Sequence, residues 1–298
     1  MKKLLILRFS SFGDIIQGFG VPTLVKSNFP DCEVHWIVRS DFADIVQAHT
    51  SIDVVHSFDR KEGLLGLIRK ALQLKSQGFT HVYDAHNNLR SHIFSFFLLG
   101  LWSNSKFIRR SKERINRFLL FKLRMNRFPW PYKGALSFVR PIAKWIPQYT
   151  EVLPTVQLET PEWNQPLPES FIALAPSAAW EMKRWPVEHW KDLIQQLPQK
   201  QFVLLGGPGD EFCAEIAAEA PDRVTNLAGR CSWLESCSVI KKSQALVSGD
   251  TGIMHLADLL GIKTFALIGP TAFGFPSYPN SKVLEVPLSC RPCTKDGR

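Results

Sequence analysis

The sequence predicts an α/β protein made of two doubly wound halves, on three observations. Short apolar runs alternate with amphipathic helical patterns through both halves, the signature of βαβ units and parallel sheets. A proline-rich stretch interrupts that alternation near the middle of the chain. The length, 298 residues, suits two domains of roughly 150 rather than one.

In the first half, Leu4–Leu7 reads as a strand, Ile15–Lys26 as the following helix and Glu33–Val38 as a second strand. Phe42–Ala48 is a helix and Asp53–Ser57 a short strand; Leu64–Gln77 is an amphipathic helix closed by Gly78, and His81–Asp84 is a strand. Between Trp145 and Ser170, five prolines (147, 154, 161, 166 and 168) mark an interdomain linker. The expected domains are 1–155 and 165–298. In the second half the strands are Phe171–Ala175, Phe202–Leu205, Ala245–Ser248 and Thr264–Ile268. The helices between them are His189–Gln196, Glu211–Ala220 and Gly252–Leu260, the last closed by Gly261. Two such halves bind ligands outside the carboxyl ends of their strands, which places the expected site in a cleft between the domains.

Composition is that of a globular protein, with 45% apolar and 21% charged residues. The formal net charge of +9 predicts an anionic partner: nucleic acid, a phosphorylated lipid surface or a phosphate-bearing substrate. The apolar run at the N-terminus is cut by Arg8 with no small-residue cleavage site after it, so it reads as a buried strand rather than a signal peptide. The longest apolar stretch, Ile93–Trp102, is half of the roughly 20 residues a membrane helix needs. Six scattered cysteines suit a reducing cytoplasm.

From Lys106 to Arg127, nine basic residues, Arg109, Arg110 and Arg117 among them, stand against the single acid Glu113. Apolar residues are interleaved, with Phe118, Phe121 and Met125 at helical spacing. The segment reads as a basic amphipathic helix for an anionic lipid or polyanion; the competing reading is a solvated helix packed on the first domain.

Four strand-to-helix junctions carry the chemistry. In Ser10-Ser11-Phe12-Gly13-Asp14 a strand ends near Arg8 and a helix begins around Asp14. Asp14 is either a cap stabilised by the helix N-terminus or a general base at the sheet mouth. In Ser248-Gly249-Asp250-Thr251-Gly252 a strand meets a tight turn, and the Thr251 and Gly252 amides form a site for phosphate. His255, one helical turn on, reads as a buried structural histidine. The loop ending Lys183-Arg184-Trp185-Pro186 offers Lys183 to neutralise a diphosphate, or else a solvent-facing pair of cations. Asp210, in Gly206-Gly207-Pro208-Gly209-Asp210, is a ribose ligand or a helix cap. No P-loop, GxGxxG or GxSxG is present, which argues against a P-loop NTPase, a dinucleotide-dependent oxidoreductase and a serine hydrolase. Cys290 and Cys293 form one CxPC pair with no second pair to complete a four-ligand metal site.

Taken together, these blocks resemble glycosyltransferase family 9, the ADP-heptose:lipopolysaccharide heptosyltransferases. The resemblance rests on Ile6–Ile16, Asp84–Ser91, Lys183–Trp190 and Gly249–Ala257, in the family's order across nearly the whole chain. It implies a GT-B fold, two Rossmann-like domains with the acceptor bound by the first and the nucleotide sugar by the second. It implies inverting, metal-independent transfer of heptose from ADP-L-glycero-D-manno-heptose to the lipopolysaccharide inner core, with no cofactor. Carried over, Asp14 is the base, and Lys183, Asp250, Thr251 and Gly252 bind the donor diphosphate and sugar. Glu211 is the candidate match for the acid on the ribose, and Arg90 faces an anionic acceptor; the basic segment, with Arg109, Arg110 and Arg117, suits the same acceptor by its charge. The implied anionic partners are that acceptor and the inner face of the cytoplasmic membrane, held peripherally, not nucleic acid. The rival readings are a GT-B transferase for another nucleotide sugar or acceptor, and a non-catalytic polyanion-binding relative. Two departures stand out: Pro176-Ser177 replaces an expected Pro-Gly, and the family continues beyond the point where this chain stops after Cys293.

Overall fold

The computed structural model describes residues 1–100 and 103–294. Leu101 and Trp102, which end the long apolar stretch, lie outside the described residues. The chain begins with β1 (Lys3–Leu7), α1 (Phe12–Gly18), α2 (Gly20–Asn28), β2 (Glu33–Arg39), α3 (Ala43–Gln47) and β3 (Val54–Phe58). It continues through α4 (Gly63–Lys75), β4 (His81–Asp84), α5 (Leu89–Leu99), β5 (Lys106–Arg109), α6 (Arg114–Leu123) and α7 (Gly134–Val139). The second sheet and its helices follow as β6 (Phe171–Ala175), α8 (Val187–Gln196), β7 (Gln201–Leu204), α9 (Phe212–Ala217), β8 (Val224–Asn226) and α10 (Trp233–Lys242). Last come β9 (Ala245–Gly249), α11 (Gly252–Leu259), β10 (Thr264–Leu267) and β11 (Ser281–Leu284).

Two compact units result. One holds residues 1–114 and 135–159, the other 115–134 and 160–298. The chain therefore leaves the first unit inside the proline-rich stretch, where Glu159 N still donates to Ala48 O and Pro161 O already accepts from Ser238.

Each unit is a parallel sheet whose strand order reverses once. The first runs β3-β2-β1-β4-β5 and the second β11-β10-β9-β6-β7-β8. In the first, β1 leads to β2 and β3 on one side, and the chain then crosses to β4 and β5 on the other. The carboxyl ends of β1 and β4 diverge there, with Leu7 opposite Asp84. In the second, β6 and β9 diverge in the same way, with Ala175 opposite Ser248. Such switch points open a crevice at the sheet edge, where open α/β sheets bind ligands.

The strands are near-continuous apolar runs because both faces are covered. Leu4 to Leu7 are fully buried. One face of the first sheet packs Leu5, Leu7 and Val82 against Leu67, Leu74 and Phe94 from α4 and α5. In the second unit Leu174, Phe202 and Leu204 pack against Trp190, Ile194 and Ile216.

The structure differs from the sequence reading in two places that matter. The single helix expected over Ile15–Lys26 is two, α1 and α2, broken at Phe19. Gly18 and Gly20 flank the break and let it pack closely: a Cβ on Gly18 would lie 3.1 Å from the Trp36 ring, and one on Gly20 3.2 Å from Val139. Pro22 falls in the first turn of α2, where its missing N–H costs no helical bond. The basic segment expected as one helix over 106–127 is strand and then helix. Lys106–Arg109 pairs with β4 as an edge strand, a position whose exposed edge charged residues protect. The chain breaks at Glu113, whose φ of 46° is left-handed, before α6 begins. α6 and the segment after it belong to the second unit, where Leu120, Phe128 and Tyr132 join Met254, Ile268 and Phe275 in one cluster.

Candidate active site

At the switch point of the first sheet, the β1 loop runs from Arg8 into α1. Asp14 lies in the first turn of that helix. Its Oδ2 accepts from Ser11 Oγ at 3.0 Å and is ion-paired with Arg8 Nη2, while 40% of the side chain stays open to solvent. Arg8 is buried: Nη1 donates to Ala85 O at 3.1 Å, and the guanidinium lies over the Phe138 ring. Burial lowers its pKa and the Asp14 carboxylate raises it; from so high a starting value it stays charged. A buried cation thus fixes the orientation of an accessible carboxylate.

The neighbouring β4 loop is organised by Asp84, which is fully buried. Its oxygens accept from His86 N (3.0 Å), Asn87 N (2.8 Å), Ser91 Oγ (2.9 Å) and Arg109 Nε (2.7 Å). Asn87 takes a φ of 47°, which Asn tolerates, and Asn88 caps α5 in a reciprocal box with Ser91. Arg90, in the first turn of α5, is exposed. Arg109 is spent partly on Asp84 and stacks on Phe107. Arg110 is buried, bonded to Ser137 and stacked 3.7 Å from the Phe138 ring centroid, so its cation serves the interior. His86 sits against Phe9 with ring centroids 5.0 Å apart, and its Nδ1 has no hydrogen-bond partner. Burial, with Arg8 beside it, pushes its pKa down to about 3, so the ring is neutral.

At the switch point of the second sheet, the β6 and β9 loops meet through an ion pair. Lys183 Nζ lies 2.7 Å from Asp250 Oδ2 and 3.5 Å from Asp250 O. Asp250 Oδ2 also accepts from Thr271 Oγ1 at 2.7 Å, and His255 Nε2 lies 3.9 Å from Oδ1. Glycines make room for the pair. A Cβ on Gly249 would stand 2.8 Å from Lys183 O, and one on Gly274 would overlap the Asp250 carboxylate itself. Thr251 caps α11: its Oγ1 accepts from Met254 N at 3.3 Å and is 3.0 Å from Ser248 Oγ. The first-turn amides of a helix lack intrahelical acceptors, so those at Gly252 and Ile253 can hold an anion.

Glu211 is exposed at the start of α9. Asp210 is occupied locally, accepting from Ser177 Oγ at 2.5 Å and Gly207 N at 2.6 Å. Ser177 therefore has a use where the family resemblance calls for glycine: its hydroxyl ties the β6 loop to the β7 loop. Arg117 lies in α6, in the second unit, with its guanidinium 4.1 Å from the Phe273 ring centroid.

The structure thus gathers Lys183, Asp250, Thr251 and Gly252 at one sheet edge, and Asp14 with the Asp84 loop at the other. The sequence reading missed Arg8, His86, Thr271 and Gly274. Arg8 had a local signal, a charge ending an apolar strand. Thr271 and Gly274 reach Asp250 from about twenty residues away, and no local pattern joins them.

Comparison with known proteins bears on the family and the fold. The profile of glycosyltransferase family 9 (heptosyltransferase) matches residues 68–298. Lipopolysaccharide heptosyltransferase 1 of Pseudomonas aeruginosa is 25% identical, over 98% of this chain and 86% of that protein. Among solved structures, a family 9 glycosyltransferase from Veillonella parvula superposes with a TM-score of 0.79 at 16% identity, over 96% of this chain and 86% of its own. The E. coli heptosyltransferase WaaC with ADP superposes with a TM-score of 0.73 at 19% identity, over 96% and 93%. The two parallel α/β sheets are those of a GT-B fold. The chain is a glycosyltransferase and belongs to glycosyltransferase family 9, the heptosyltransferase family.

Proposed function

We propose that the protein transfers heptose from ADP-L-glycero-D-manno-heptose to the lipopolysaccharide inner core, with inversion and without a metal ion. The observation that carries this reading is the Lys183–Asp250–Thr271 cluster at the N-terminus of α11. It offers a diphosphate a fixed ammonium and a row of backbone donors, the charge stabilisation that a departing nucleoside diphosphate requires. The chain supplies that positive charge from its own groups.

Asp14 is the general base. As the acceptor hydroxyl oxygen attacks the anomeric carbon, Asp14 takes its proton and the bond to the β-phosphate oxygen breaks, releasing ADP. One displacement inverts the centre, through an oxocarbenium-like state of the kind inverting glycosidases use. Lys183 Nζ has three donors, of which Asp250 engages two, so one remains for a phosphate oxygen. Asp250 orients that ammonium and reaches the sugar, and Glu211 takes the ribose. Arg90 and Arg109 meet the acceptor's negative charges, Arg110 is spent on Ser137 while its carbonyl holds Asn87 of the β4 loop, and Arg117 belongs with the α6 surface.

α6 supplies a peripheral hold on an anionic membrane at the cytoplasmic face. It exposes Ile115 and Phe118 beside Arg114 and Lys122. No helix among the described residues is long and apolar enough to cross a membrane. The transfer reading is tested by ADP release from ADP-heptose on heptose-deficient lipopolysaccharide core in the presence of EDTA. No ADP-heptose binding at all would overturn the donor and direct the search to another nucleotide sugar.

A further inference from the structure

Cys290 and Cys293 are both exposed, with their sulfurs 3.7 Å apart; the other four cysteines are buried or half-buried. They sit on a loop held in place by named bonds. Arg124 Nη1 donates to Cys290 O (3.3 Å) and Pro292 O (2.9 Å), and Arg291 Nε donates to Gly269 O at 2.9 Å. Cys293 N donates to Pro270 O at 2.9 Å. The residue after Pro270 is Thr271, whose hydroxyl holds Asp250 at 2.7 Å. One continuous path therefore runs from the thiols through the Gly269–Thr271 turn to the carboxylate that grips Lys183. A cavity of about 410 Å³, lined by Leu120, Arg124, Trp130, Glu285, Cys290 and Arg291, opens beside Cys290 and gives a small thiol compound access to its sulfur; Arg291 is paired there with Glu285 at 2.9 Å.

We propose that Cys290 and Cys293 form a reversible dithiol–disulfide pair whose closure shifts the Thr271 turn and weakens nucleotide binding at Asp250 and Lys183. The regulated site is the donor site proposed above, and that half of the inference rests on it. The oxidant is a low-molecular-weight disulfide such as oxidised glutathione. The two sulfurs lie within thiol–thiol contact at 3.7 Å. Burial and the neighbouring Cys290 sulfur hold the Cys293 thiol above its usual range, against Arg124 and Arg291, so it keeps its proton longer. Cys290 thiolate attacks the oxidant, breaking its S–S bond, and one thiol leaves with a proton. Cys293, losing its proton, then displaces the second thiol. The protein loses two hydrogens and the oxidant gains them. Closing the bond brings the sulfurs from 3.7 Å to about 2.05 Å, and the Cys293 amide moves with them against Pro270.

The test equilibrates the full chain in buffers of varied oxidised-to-reduced glutathione ratio, alkylates free thiols and maps them by peptide mass spectrometry. Amide hydrogen exchange over residues 268–273 and ADP titration are read on the same samples, with Cys290→Ser as the control. The expected result is paired loss of labelling at Cys290 and Cys293, reversed by dithiothreitol. Faster exchange over 268–273 accompanies it, with ADP affinity lower by about tenfold, the weight of one hydrogen bond to a charged group; Cys290→Ser shows neither change. Independent labelling, or stable single glutathionylation, under oxidising conditions overturns the pair. A closed pair with exchange and ADP affinity equal to those of Cys290→Ser overturns the coupling. If ADP binds neither redox state, the donor reading fails on its own, while labelling and exchange still decide the switch.

Discussion

Asp250 is held by two parts of the chain: Lys183 from the β6 loop, and the segment after β10, where Thr271 bonds it and Gly274 leaves it room. Each residue controls one thing about the carboxylate. Lys183 balances its charge, Thr271 fixes its rotation, and Gly274 supplies the volume it occupies. The last gives a sharp prediction. Gly274→Ala places a methyl where the carboxylate stands, and the carboxylate must leave both partners. We expect ADP affinity in a calorimetric titration to fall by about tenfold or more, with a stability loss of about 1–3 kcal/mol, as for overpacking elsewhere. Unchanged affinity would remove Asp250 from the donor site. At the other sheet, Arg8 plays the comparable part: its buried guanidinium aims Asp14, whose carboxylate still meets solvent.

Among the elements, α6 separates two uses of a basic segment. Its inward residue Leu120 is buried in the second unit, where a side chain of that kind contributes about 1.5–3 kcal/mol. Its outward residues Ile115 and Phe118 are 76% and 57% exposed. Apolar tips among cations on one helix face bind an anionic interface by inserting the tips and attracting the headgroups. Vesicles containing phosphatidylglycerol are expected to sediment the protein, less at high salt, and Ile115→Asp with Phe118→Asp is expected to abolish this. Full retention by the double variant would return α6 to a purely structural part.

Much of this level was legible beforehand, since apolar runs and glycine stops located most strands of both sheets. Three features were hidden for physical reasons. β5 is an edge strand with charges on it, so it lacks the apolar run that identifies buried strands. The α1–α2 break depends on how closely Trp36 and Val139 approach Gly18 and Gly20, a tertiary fact. The Thr271 and Gly274 contacts with Asp250 arise only when β9 and β10 pair.

For the whole molecule, acid is expected to act unequally on the two units. His49, His56 and His81 are pushed down to about 4 and His86 to about 3, each chiefly by burial, from an ordinary value of 6.5; all four lie in the first unit. Between pH 6.5 and 4 the unfolded chain therefore binds protons that the folded unit refuses. Stability from these groups is complete above pH 6.5 and is lost as pH falls, by at most about 1.4 kcal/mol per pH unit for each. In the second unit the buried Asp258 is pushed up, so falling pH favours its folded form. Hydrogen exchange at pH 5 is expected to show β1–β4 losing protection before β6–β9. Equal loss in both units, or none, would contradict this assignment.

The proposed transfer needs Asp14 as base and Lys183 as charge stabiliser in the same reaction. ADP release in EDTA, from ADP-heptose with heptose-deficient lipopolysaccharide core, measures that reaction. Release is expected to require the acceptor. Its rate is expected to fall by about 10²–10⁴ for Asp14→Asn, the ordinary weight of a general base, and by about 10²–10³ for Lys183→Ala, as for other lost charge stabilisers, with both variants folded. Release at the wild-type rate from Asp14→Asn, or release only when a divalent ion is restored, would contradict the proposed transfer.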